Sequence, residues 1–217
     1  MTPSGAGNAG GHAIDHFSYF ITFYSIILGL AVAELLGGFA RIVRARALAK
    51  LEAQTALLAL LTLIMVMTAW LDARDSLQSV TMDFKGLAAP IAMAIFYYLA
   101  AAVVFPHDDA DHERLADYYA SRKRFIAGTL LAASIVDEFI FVPHFEDLLA
   151  HMPALFWLWA VPYGTAIMAA LLALLLVRSR RANVAMLTIM ILLIVIPYWG
   201  GGGIRGAIAR HYGYDLT

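Results

Sequence analysis

Long apolar runs, separated by short charged, proline-containing or glycine-rich stretches, recur six times along this chain. The first extends from Phe17 to Arg41, FSYFITFYSIILGLAVAELLGGFAR, and the others cover about 54–71, 87–105, 125–142, 154–177 and 184–199. A helix rising 1.5 Å per residue crosses a bilayer core in about 20 residues, so each run is of spanning length or close to it. Pro106 and Pro143 stop the third and fourth runs, and Gly200 to Gly203 break the sixth. Pro162 and Gly164 lie inside the fifth and predict a kink there. One further segment, HDDADHERLADYYASRKR, repeats Leu115, Tyr118 and Tyr119 at helical spacing. Acids lead it and Arg122, Lys123 and Arg124 close it, the charge order a helix dipole favours. The pattern therefore predicts an all-α, polytopic membrane protein. A six-helix transmembrane domain occupies 17–199, and a cytoplasmic amphipathic helix at about 109–124 feeds the fourth span. A mobile N-terminal tail, 1–16, precedes the domain and a C-terminal tail, 200–217, follows it. Arg205, Arg210 and His211 keep that second tail from crossing as a seventh span.

Composition agrees with a lipid environment. Apolar residues make up 62% of the chain and charged residues 14%, with a mean hydropathy of +0.75. Soluble domains carry about 45–50% and about 25%, and a chain of this size has too little interior to absorb the excess. A net charge of −1 with no dense basic stripe argues against nucleic acid as a partner. The absence of cysteine excludes disulfides, thiolate metal ligation and a cysteine nucleophile. No Lys or Arg precedes the first run, so it reads as a retained span rather than a cleaved signal peptide. The basic residues then set the orientation. Arg41, Arg44, Arg46 and Lys50, then Arg114 and Arg122 to Arg124, then Arg178, Arg180 and Arg181 fall in three alternate loops, which the positive-inside rule places in the cytoplasm. Both termini are then outside, as in a bacterial inner membrane protein. Trp70, Trp157, Trp159 and Trp199 all fall at span ends on that outer face.

Ionisable residues inside spans are the first candidates for chemistry, because each costs several kcal/mol unless paired, hydrated or protonated. Glu34 lies in the first span, and Asp137 and Glu138 lie in the fourth with Ser134 one turn before them. These four form a candidate ion pathway. The competing structural reading pairs Glu34 with Arg41, and the other two acids with Arg74, Arg205 or Arg210. Gly29, Ala33 and Gly37 form a small-residue face suited to close helix packing, within the chain, with a second copy or with a membrane-complex partner. That face makes the first span the expected central packing helix. Tyr97, Tyr98 and Pro162 are candidates to line a cavity. His12 and His16, four residues apart, together with His144 and His151 of an outer loop, are candidate ligands for a divalent metal such as zinc. His107 and His112 among three aspartates read as a solvated helix start instead. No phosphate loop, dinucleotide fingerprint, nucleophile elbow or zinc-protease motif occurs, so a non-enzymatic role is the expectation. Three functions follow: an ion- or proton-coupled transporter or channel, a scaffold or accessory subunit, and an outer-face metal protein or metal-dependent membrane hydrolase.

Overall fold

The computed structural model describes residues 9–44, 46, 51–76, 84–106, 115–140, 142–199 and 211–213. Seven helices account for nearly all of them: α1 (Ala9–Arg44), α2 (Ala53–Ser76), α3 (Phe84–Val104), α4 (Leu115–Ile140), α5 (Val142–His151), α6 (Pro153–Leu176) and α7 (Arg180–Trp199). Five of these, α1, α2, α3, α6 and α7, are long and apolar enough to cross a membrane. Their outer surfaces carry large apolar side chains, with Leu176 72% and Ile189 63% exposed, a surface suited to lipid rather than to water.

The helix limits depart from the apolar runs in instructive ways. The helix α1 begins at Ala9, inside the stretch read as a tail, and α2 continues five residues past Leu71. Tyr118 belongs to no separate cytoplasmic helix, because Leu115 to Ile140 is one continuous α4. Arg122 to Arg124 thus lie in mid-helix, where a dipole gives them no stabilisation, and Asp117 alone gains it in the first turn. The loop expected around Glu146 and Asp147 is the short helix α5. In α6 the expected kink takes the form of a π-helical turn over Phe156–Ala160, in which the Val161 amide bonds the Phe156 carbonyl five residues back. Pro162 follows at once. A proline has no N–H and clashes with the carbonyl four residues before it, and a widened turn relieves that clash.

The helix α2 touches α1, α3, α4 and α7, whereas α1 packs only on α3 and α2 to any extent. The central helix is therefore the second and not, as expected, the first. The buried stripe of α1 is Tyr24, Leu28, Ala31, Leu35 and Ile42. Gly29 and Ala33 lie on the exposed side of α1, and Gly37 is half-buried beside the Arg41 guanidinium. The close approach occurs one residue on. A Cβ on Gly38 would stand 2.7 Å from Phe105 at the end of α3. Alanine at Gly38 is expected to cost about 1–3 kcal/mol through overpacking. Alanine at Gly29 meets nothing within 4 Å and gains helix propensity of about 1 kcal/mol. Thermal unfolding of the two variants in detergent checks the contrast, which equal melting temperatures would contradict. The most extensive helix pairing is α3 with α4, and Ala94, Ala100 and Ala101 of α3 and Ala127 and Ala133 of α4 are all buried in the shared core.

Several polar groups within the bundle are satisfied locally, as a medium without water favours. Thr62, Thr129 and Thr188 each donate to a carbonyl one turn back at 2.8–3.1 Å. Tyr118 donates to the Val103 carbonyl at 3.0 Å and so caps the open C-terminus of α3. At the same end of the bundle a buried chain of polar side chains ties four helices together. The Lys123 ammonium of α4 donates to the Val177 carbonyl, which ends α6, and to Asn183 Oδ1 of α7 at 3.2 Å. Asn183 Nδ2 donates to Gln54 Oε1 of α2 at 3.2 Å, and Gln54 Nε2 to Glu52 Oε2 at 3.0 Å. Glu52 then meets Arg180 at 3.0 Å. These contacts bring the starts of α2 and α7, the end of α6 and the N-terminal third of α4 together, and with them the chain positions of Arg122, Arg124, Arg178, Arg180 and Arg181. Trp70 and Trp157 stand exposed toward the opposite end.

Candidate functional site: a carboxylate cavity

Residues 58, 61, 65, 68 and 72 of α2 follow one another at three- and four-residue steps and therefore share a helical face. The face is buried leucine at one end, Leu58 and Leu61, and turns polar toward the other with Thr68 and Asp72. On α4, Ser134, Asp137 and Glu138 stand at i, i+3 and i+4 and point the same way. The two faces meet across a cavity of about 240 Å³ in the half of the bundle away from the arginines, lined by Thr68, Asp72, Ser134, Asp137 and Glu138. Three carboxylates thus share one space. Asp137 has Asp72 and Glu138 as its charged neighbours. No Lys, Arg or His lines the cavity among the described residues.

The rest of the wall is aromatic and apolar. Tyr97 of α3 closes one side, and Trp159 and Tyr163 of α6 another. Those two rings stack, with centroids 5.1 Å apart and planes 16° from parallel. Trp159 begins one turn before Tyr163 within the π-helical segment, so the widened turn helps set where its indole reaches. Met65, Leu155, Ile167, Met168 and Ile194 belong to the remaining apolar wall, with Leu148 of α5. Gly164 does more than accompany a kink. A Cβ at this position would come within 2.6 Å of Glu138 Oε1, so the missing side chain is what lets the Glu138 carboxylate lie against α6. The fully buried Tyr24 hydroxyl, which does not line the cavity, has no hydrogen-bond partner among the described residues and has Asp137 and Asp72 as its charged neighbours.

No family model, characterised protein or solved structure matches this chain. The functional reading rests on the site alone.

Of the residues singled out from the sequence, Ser134, Asp137, Glu138 and Tyr97 come together here, whereas Tyr98 and Pro162 do not line the cavity. Glu34 stands apart from it, half-buried on α1 in the half toward the basic end, two turns from Arg41. Asp72 is the acid that sequence reading missed, and the stripe ending in it was the signal. Trp159 forms part of the cavity wall. His12 and His16 sit one turn apart on the helical backbone of α1, and His144 on that of α5, but the side chains of all three lie outside the described residues. His151 is exposed at the end of α5. Among the described residues, no three His, Asp or Glu side chains form a group able to hold a metal ion.

Proposed function

We propose that this protein is a six-span membrane carrier of small cations, with the carboxylate cavity as its binding site. The observation that carries this reading is the convergence of Asp72, Asp137 and Glu138 on one cavity whose other walls are aromatic and apolar. A buried carboxylate is costly, and three in one place form a site that a mobile cation or proton would neutralise. The sixth span is α4. Its charged residues exclude it on apolarity alone, yet Phe125, Ile135 and Phe139 point outward along its length as lipid-facing residues do. By the positive-inside rule, the arginine-rich end supports a reading with that end in the cytoplasm and the cavity in the outer half of the membrane.

The wall favours an organic ammonium over a bare metal ion. The carboxylates supply countercharge, while Trp159, Tyr163, Tyr97 and the two methionines match carbon and present π faces to a cation. A hydrated inorganic ion would leave that apolar surface without a partner. The test is uptake of radiolabelled tetramethylammonium into liposomes holding the purified protein, driven by an imposed proton gradient. Saturable uptake above protein-free liposomes is expected, with a lesser effect from sodium as competitor. Absence of both uptake and binding would overturn the reading, and co-purification with a larger complex would then favour an accessory subunit.

A further inference from the structure

The chain Lys123–Asn183–Gln54–Glu52–Arg180 has a fixed polarity. An ammonium only donates and a carboxylate only accepts, so each amide between them is oriented with its oxygen toward the lysine side and its nitrogen toward Glu52. Lys123 and Gln54 are 7% exposed and Asn183 3%, whereas the closing Glu52–Arg180 pair is partly in water. The Lys123 ammonium is held chiefly by the carbonyl at the negative end of α6.

The four helices joined by these bonds, α2, α4, α6 and α7, are also helices that line the cavity. On α4 the cavity acid Asp137 lies fourteen residues from Lys123, about 21 Å along the axis. Between the two levels the same helices meet through buried leucines, among them Leu61, Leu130, Leu171, Leu174 and Leu187. Stability alone would be served as well or better by continuing those leucines to the helix ends, because apolar packing commonly equals or exceeds a buried polar network of the same volume. Polar partners at this level have a different property: they exchange readily for water when the helix ends separate.

We propose that this polar chain is the cytoplasmic gate of the cavity, closed in this structure, and that opening it consists of drawing Lys123 off the end of α6 and Asn183 off Gln54. The proposal rests on the reading of the cavity as a carrier's binding site. It adds how access to that site changes sides: the bonds break at the basic end as the cavity closes toward the Trp70 end. The π-helical turn and Pro162 give α6 a place to bend.

The test reads access rather than transport. The chain has no cysteine, so a single Ser134→Cys reports on the cavity alone. Its modification by a membrane-impermeant thiol reagent is measured from each side in oriented vesicles. With the gate intact, reaction is expected from the Trp70 end and to be slow from the basic end. Asn183→Leu, and independently Lys123→Met, are expected to raise the basic-end rate by about tenfold, the shift that loss of one charge-assisted hydrogen bond produces in a two-state equilibrium. Cross-linking a Gln54→Cys/Asn183→Cys pair with a bismaleimide is expected to hold that rate at its low value. Unchanged basic-end rates in both variants, with Trp70-end labelling retained to show a folded protein, would overturn the gate and leave a structural staple. Failure to label from either side in every background would also overturn it, because the cavity would then be closed to water. Neither readout requires a transported cation, so the gate and the carrier reading fail separately.

Discussion

Replacing Asp137 with asparagine is expected to reduce cation uptake by about a hundredfold while raising the melting temperature of the protein. The first effect follows from charge. A unit charge about 5 Å from a bound cation, at an effective dielectric constant of about 20, contributes about 3 kcal/mol, or some two decades in affinity. The second follows from burial. Asp137 has two other carboxylates for neighbours and no cationic side chain in the cavity wall among the described residues, so an amide of the same shape removes a desolvation cost and a repulsion together. A gain of about 0.5–2 kcal/mol is the usual size when a functional strain is relieved. Glu138→Gln is expected to move both quantities in the same directions, Asp72→Asn to reduce uptake, and Glu34→Gln to leave uptake nearly unchanged. Uptake in proteoliposomes and unfolding in detergent measure the two sides. Loss of uptake accompanied by loss of stability in all three cavity variants would mean that the acids hold the bundle together rather than bind a ligand.

Much of this arrangement is legible in the sequence, and the illegible part has a physical pattern. Apolar length finds the five helices able to cross a membrane because a bilayer imposes one dimension on all of them. Ser134, Asp137 and Glu138 can be grouped because helical spacing puts them on one face. Asp72 escapes the same reasoning because hydropathy falls at the membrane edge before the helix ends: the apolar run stops at Leu71 and the helix at Ser76. The heptad-like steps from Leu58 to Asp72 would have placed it correctly, since periodicity reports the face even where hydropathy reports only depth. Glu34 shows the converse. Its depth in the first span is right for a shared path, but depth does not say which neighbour a face meets, and α1 lies at the margin of the bundle. Gly29 and Ala33 mislead for a related reason, since small residues permit close approach without supplying the helix that approaches. The polar chain at the basic end is the least legible feature of all. Gln54 and Asn183 are 129 residues apart and stand at span ends, where polar side chains ordinarily face water.

Gly164→Ala is expected to lower cation affinity by about tenfold with a change in stability below about 1 kcal/mol. The added methyl carbon would fall 2.6 Å from Glu138 Oε1, closer than any real contact allows, so one of the two must move. The helix is held by its neighbours, whereas the carboxylate is the far end of a flexible side chain, and a rotation of the Glu138 side chain is the cheaper response. Alanine also favours the helix over glycine by about 1 kcal/mol, which offsets most of the remaining strain. Binding suffers more, because a carboxylate turned from its place against α6 no longer meets the ligand at the same distance, and about 1.4 kcal/mol of lost interaction is tenfold in affinity. A double-mutant cycle isolates the cause. If the methyl group acts through the carboxylate, Gly164→Ala has no further effect on tetramethylammonium affinity once Glu138 is alanine, where no carboxylate remains to displace. An undiminished loss in the Glu138→Ala background would show that Gly164 acts on the shape of α6 beside Pro162, and that Glu138 is not a ligand of the cation.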